Sequence, residues 1–201
     1  MPVKVRTFHT LPRKNDHAIS NTEAANKQTE YRNKILTKLF LGNSQIACYF
    51  LALTIFSLGM VRDYLYKEAL APQPSHPALE TDAVKLASYA LFAAGNILVI
   101  TSTWALGITG TFLGDYFGIL MDDMVTGFPF NVTDAPMYYG STMSFLAAAL
   151  YYGKPAGVLL TVWVFLVYKV ALAFENPFTA GIYAKRDRER AAQKKGSKKA
   201  E

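Results

Sequence analysis

MYYGSTMSFLAAALYYGKPAGVLLTVWVFLVYKVALAFEN, Met137 to Asn176, decides the fold. It holds two apolar runs, Met137 to Tyr152 and Ala156 to Phe174, joined by GKPAG. Only Lys169 interrupts the second run. A turn this short between two apolar helices makes a hairpin whose outer ends lie at one membrane face. Pro136 to Gly140 should therefore face Glu175 and Asn176. Glu175 is expected at a helix C-terminus, where cations are preferred over acids. The misplaced acid points to a ligand that is positive or rich in hydroxyls.

Two more apolar runs precede the hairpin. Leu41 to Val61 ends on Arg62 and Asp63, and Leu86 to Leu106 carries no charge. A crossing takes about 20 apolar residues. The first, second and last runs qualify; the third is short but uncharged. Lys residues and Arg residues crowd both ends, eight against three acids in Met1 to Leu39 and again in Lys185 to Glu201. Four crossings keep both basic ends on the cytosolic side, as the positive-inside tendency favours. The expectation is an all-α integral membrane protein, a polytopic bundle of about four membrane helices with a C-terminal helical hairpin. Its parts are a basic tail over 1–39, a membrane core over 40–184 and a basic cytosolic tail over 185–201. The Arg62 to Lys85 loop is then lumenal, and the acceptor pattern Asn131-Val-Thr133 faces the cytosol unused.

Composition excludes several classes. Hydrophobic residues make up 51% of the 201-residue chain and charged residues 18%. The basic residues sit at the ends without aromatic interleaving, which speaks against nucleic acid and for a membrane surface. Cys48 is the single cysteine, and His9, His17 and His76 lie outside the apolar runs. No metal site is expected. Lysines third and fourth from the end in KKAE resemble a retrieval signal for the endoplasmic reticulum. The acid-free, basic first fifteen residues faintly resemble a mitochondrial presequence, though without a good amphipathic pattern.

Two stretches carry candidate chemistry. In GITGTFLGDYFGIL, Gly107, Gly110, Gly114 and Gly118 would form one bare stripe if helical, leaving room for a backbone, a lipid or a cofactor. Asp115 and Tyr116 follow where the helix leaves the hydrocarbon. In FPFNVTDAPMYYGS, Asp134 can cap a helix whose first turn holds Pro136. Tyr138 and Tyr139 are either interfacial anchors or an aromatic wall around a positive group. Lys169 snorkels to the interface or meets a phosphate.

ALGITGTFLGDYFGIL, FPFNVTDAPMYYGS and ENPFTAGIY, in this order, resemble the phosphatidylethanolamine N-methyltransferase family, and within it fungal members that act on phosphatidyl-N-methylethanolamine. The likeness runs from Leu36 to Arg186. It implies an endoplasmic reticulum membrane enzyme that moves methyl groups from S-adenosylmethionine to a phospholipid amine within the bilayer. The family's Gly-x-Gly cofactor element falls on Ala93-Ala94-Gly95, and its Glu-Glu pair on Glu175-Asn176. Its Asn-Pro-Met-Tyr motif reads Ala135-Pro136-Met137-Tyr138. The family's further apolar segment before Tyr31 to Lys38 is replaced here by polar, lysine-rich sequence. The resemblance implies cofactor contacts at Ala93, Ala94, Gly95, Tyr138, Glu175 and Asn176, with no metal. With no histidine at hand, Asp115 is the candidate proton acceptor. Tyr116, Tyr138 and Tyr139 are candidate partners for a methylated amine. An isoprenylcysteine carboxyl methyltransferase would want a basic anchor beside Tyr138, and a non-catalytic scaffold would use the glycines for helix contacts alone.

Overall fold

The computed structural model describes residues 33–200, with side chains over 33–193. The histidines at 9 and 17 and most of the basic N-terminal tail lie outside the described residues. All regular structure among the described residues is helical: α1 (Ile35–Leu39), α2 (Ser44–Leu70), α3 (Asp82–Thr111), α4 (Pro136–Tyr151) and α5 (Pro155–Ala200). Three stretches are long and apolar enough to cross a membrane, Ser44–Leu70, Asp82–Phe117 and Pro155–Gln193. Their outer faces expose Trp104, Leu53, Leu159 and Trp163, as a lipid-facing surface requires, since lipid solvates such side chains. α4 has 16 residues. That gives it a length of about 24 Å, short of the ~30 Å hydrocarbon layer. The expected bundle thus consists of three full-length candidate spans with a shorter helix packed between α3 and α5.

Local chemistry sets the helix ends. Asn43 caps α2 by accepting from the amides of Gln45 and Ile46, both at 3.1 Å. Thr81 caps α3 at the Val84 amide. α2 does not stop at Arg62 and Asp63 as expected but continues to Leu70. The charges are accommodated sideways: Arg62 pairs with Asp63 at 2.8 Å and donates to Tyr168 Oη at 2.8 Å. The connection between α2 and α3 therefore shrinks to 71–81. Lys154 Nζ donates to the Gln73 carbonyl at 2.5 Å, and the His76 amide to the Gly153 carbonyl at 2.9 Å. These bonds tie that connection to the hairpin bend, where Gly153 sits at φ 65°.

The α3–α4 crossing is set by two glycines. A Cβ on Gly95 would lie 2.6 Å from the Gly140 carbonyl, and one on Gly140 would lie 2.5 Å from the Gly95 carbonyl. Only bare backbone fits on either side. α2 joins the hairpin through Tyr66, whose hydroxyl donates to the Phe145 carbonyl at 2.9 Å while its ring meets the Phe145 ring at 4.8 Å. The helices alternate in direction. The Ser44 end of α2, the Thr111 end of α3 and the Pro136 end of α4 lie with Glu175 at one end of the bundle. Leu70, Asp82, Tyr151 and Pro155 lie at the other.

Three local expectations are corrected. The glycines from 107 to 118 do not form one helical stripe. Gly107 breaks the helix at φ 65°, Gly114 opens a 3-10 turn over Gly114–Phe117, and Gly118 ends it at φ 75°. Asp134 does not cap α4. Ala135 occupies the cap position without a side-chain bond, and its amide donates to Thr133 Oγ1 at 3.4 Å, so Asp134 stands one residue too early. Glu175 is not at a helix terminus, because α5 runs on to Ala200 through Pro177. The continuation is braced from outside. Arg190 donates to the Asp122 carbonyl at 3.2 Å, Arg186 donates to the Met121 carbonyl, and the Met121 amide donates to Tyr183 Oη at 3.3 Å.

Candidate active site

Two carboxylates from distant parts of the chain meet on α5. Tyr138, in the first turn of α4, donates its phenol to Glu175 Oε2 at 2.5 Å. Thr179, one helical turn beyond Glu175, donates to Asp115 Oδ2 at 2.6 Å. Both carboxylates are partly buried. Thr179 and Glu175 share a face because residues four apart on a helix lie one above the other. Pro177 has no amide hydrogen, so the carbonyl of Ala173 is left without its helical partner one turn before. The hairpin's outer ends therefore meet, as its short bend requires.

Asp115 is positioned by a turn that only glycine permits at its start. A Cβ on Gly114 would approach the Thr109 carbonyl to 2.6 Å. The turn presents Asp115 toward α5, and the Tyr116 amide donates to Asp115 Oδ1 at 3.1 Å. Phe117 packs inward against Ala47 and Cys48 of α2. The thiol of Cys48 donates to the Phe112 carbonyl at 3.7 Å. The loop carrying Asp115 is thus held between α2 and α5.

Aromatic rings line the two acids. Tyr116 meets Phe178 with centroids 4.6 Å apart, and Tyr138 meets Tyr168 edge-on at 5.0 Å. Tyr139 points elsewhere. Its ring lies against Phe165 at 6.0 Å, since consecutive helical residues do not share a face. Tyr116, Phe117 and Gly118 continue into a cleft of about 290 Å³, closed on the other side by Lys34 and Thr37.

Of the expected site residues, Asp115, Tyr116, Tyr138 and Glu175 come together. Asn176 is the exposed neighbour of Glu175. Ala93 and Ala94 lie on α3 beside Gly95, and Gly95 is buried in the contact with Gly140, two residues from Tyr138. Sequence reading missed Thr179, Tyr168 and Phe178. The period of α5 could have found them, because each falls three, four or seven places from Glu175. Among the described residues no group of three or more His, Cys, Asp or Glu side chains could hold a metal ion.

The arrangement offers carboxylates to cationic or hydroxyl-bearing groups, with aromatic faces beside them. A small ligand carrying an organic cation fits this set of donors and acceptors. No solved structure is similar to this chain. A family model described as phospholipid methyltransferase matches residues 84–186. The chain is 73% identical over 170 residues to a Neurospora crassa phosphatidyl-N-methylethanolamine N-methyltransferase, covering 85% of this chain and 79% of that one. The namesake in Saccharomyces cerevisiae is 55% identical over 159 residues, 79% of this chain and 77% of that one. A human phosphatidylethanolamine N-methyltransferase is 47% identical over 154 residues, 77% of each.

Proposed function

The chain belongs to the phospholipid methyltransferase family, and on that premise we propose how its site works. The protein is a phospholipid N-methyltransferase of phosphatidylcholine synthesis. Its substrate is phosphatidyl-N-methylethanolamine, carried to the dimethyl form and on to phosphatidylcholine. The methyl donor is S-adenosylmethionine. The enzyme resides in the endoplasmic reticulum membrane with the Glu175 end of the bundle toward the cytosol, an orientation supported by the basic residues that follow Tyr183.

One observation carries this reading: Asp115 and Glu175 converge on α5 from loop and hairpin, each fixed by a hydroxyl partner. S-adenosylmethionine, when bound, supplies a methyl group on a positively charged sulfur that becomes a neutral thioether once nitrogen has taken the methyl. Glu175 and Tyr138 fit such a molecule through its hydroxyls and positive charge, with Asn176 adding an amide. The nearby cleft along Tyr116 to Gly118 gives it room. Gly95, with Ala93 and Ala94 beside it, shapes the wall of this pocket by letting α4 approach.

The chain's own residues then handle the lipid amine. An alkylammonium holds its proton with a pKa of about 10.4 in water, so nitrogen has no lone pair until that proton leaves. Taking the amine into a partly buried, aromatic-lined site disfavours its charged form. Asp115 accepts the proton. Thr179 and the Tyr116 amide hold its two oxygens. Tyr116 and Tyr138 turn ring faces to the methylated amine, favouring its retention for the next transfer.

Membranes containing the enzyme and radiolabelled S-adenosylmethionine test this. Label in chloroform-soluble methylated lipids is expected. Base-labile label on protein would instead support carboxyl methylation of prenylated cysteine. Asp115→Asn should lower turnover by about 10²- to 10⁴-fold, the usual worth of a positioned base, with cofactor binding nearly intact. Undiminished turnover in that variant would remove Asp115 from the mechanism.

A further inference from the structure

Arg62 is a charge within an apolar helix that the lipid-methylation reading leaves unexplained. It lies within α2, about 12 Å from the Leu70 end and about 27 Å from the Ser44 end. Its side chain is 47% exposed, on a helix long and apolar enough to cross the bilayer. A cation at such depth is costly and commonly marks a functional site. Its Nε and Nη2 donate to Asp63 Oδ1 at 3.0 and 2.8 Å, and Nη1 donates to Tyr168 Oη at 2.8 Å. The guanidinium also stacks 4.8 Å above the Phe145 ring. A guanidinium carries more N–H groups than these bonds use.

Its place relative to the acids is informative. Tyr168 and Phe145 each lie seven residues from the Glu175–Tyr138 pair, on α5 and α4 respectively. That is about 10 Å deeper along both arms of the hairpin. The Tyr168 ring touches the Tyr138 ring, so one aromatic path joins Arg62 to Glu175. A phospholipid in the leaflet at that end has the same order: amine outermost, phosphodiester next, acyl chains inward. An amine presented to Asp115 at that end directs its phosphodiester inward, toward Arg62.

We propose that Arg62 binds the phosphodiester of the lipid substrate. Tyr168 orients the guanidinium, and the partly open α2 face admits the headgroup from the bilayer. Asp63 balances the charge in the absence of lipid. An arginine fork suits the task because it meets phosphate oxygens with paired N–H groups. This rests on the lipid-methylation reading and names the residue that sets headgroup affinity.

The test uses the full chain in mixed micelles with phosphatidyl-N-methylethanolamine at varied surface concentration. Arg62→Met is expected to raise the lipid KM about tenfold or more, the scale of a charged hydrogen-bond pair. The KM for S-adenosylmethionine should stay within about twofold of wild type on that assignment. Arg62→Lys should recover part of the loss, and it supplies the comparison if the Met variant does not fold. Phosphatidic acid should inhibit the wild type more strongly than diacylglycerol does, and Arg62→Met should lose that difference. An unchanged lipid KM in both variants would overturn the proposal. So would a parallel rise of both KM values with inhibition by phosphatidic acid preserved, which would make Arg62 only a tie between α2 and α5. Absence of any lipid product from the wild type would instead remove the parent reading.

Discussion

Glu175 shows how a single side chain acquires meaning from its neighbours. An acid at the end of an apolar run is legible in sequence, and so is Asp115 beyond the second run. What sequence does not display is the hydroxyl each receives, because Tyr138 and Thr179 are 37 and 64 residues away from their partners. Tyr138→Phe removes one such bond and keeps the ring. It is expected to weaken cofactor affinity by about tenfold or more, on the scale of a hydrogen bond to a charged group, as read by the cofactor KM. Thr179→Val keeps the shape but frees Asp115 Oδ2, so turnover should fall several-fold while cofactor binding holds. Asp134 and Arg62 depart from the sequence expectation for a common reason. A charge near an apolar boundary looks like a cap or a stop, yet the backbone angles of Ala135 and the lateral partners of Arg62 decide otherwise.

At the level of helices, the apolar runs announced themselves by length and lack of charge, and the hairpin by its short bend. Lateral order was hidden. That α3 meets α4 at Gly95 and Gly140 depends on two glycines 45 residues apart, each looking like any small residue in a membrane helix. Gly95→Ala must open the crossing, since its Cβ would sit 2.6 Å from a backbone carbonyl that cannot turn away. A loss of about 1–3 kcal/mol, the cost of overpacking, is expected in thermal unfolding of the purified protein. Gly140→Ala should cost a similar amount. The double variant should cost less than the sum, because either methyl alone opens the same contact. A role for Gly95 confined to cofactor contact would give a different pattern, with Gly140→Ala harmless and both proteins equally stable. The long continuation of α5 past Pro177 was also hidden. Its brace consists of Arg186 and Arg190 reaching backbone carbonyls of the loop at Met121 and Asp122, contacts with no pattern in the chain.

Across the whole molecule, helix direction gathers Ser44, Thr111, Pro136 and Glu175 at one end and the 71–81 connection at the other. This gathering makes one pocket from a loop, a helix start and a helix interior. The bend at Gly153 dictates it: a longer, flexible connection would free α4 to run beside α5 in the other direction. On the proposed mechanism this pocket opens to the cytosolic face, from which the methyl donor arrives, an orientation tested as follows. Sealed membrane vesicles carry the chain with a single added cysteine and are exposed to an impermeant maleimide, with S-adenosylmethionine supplied from outside. Native Cys48 is buried and should stay unlabelled. Asn131→Cys and Lys185→Cys are expected to label from the outer, cytosolic face, and Ser75→Cys only after permeabilisation, while the same sealed vesicles methylate lipid. Labelling of Asn131→Cys and Lys185→Cys from opposite faces, or methylation that begins only once the vesicles are opened, would contradict it.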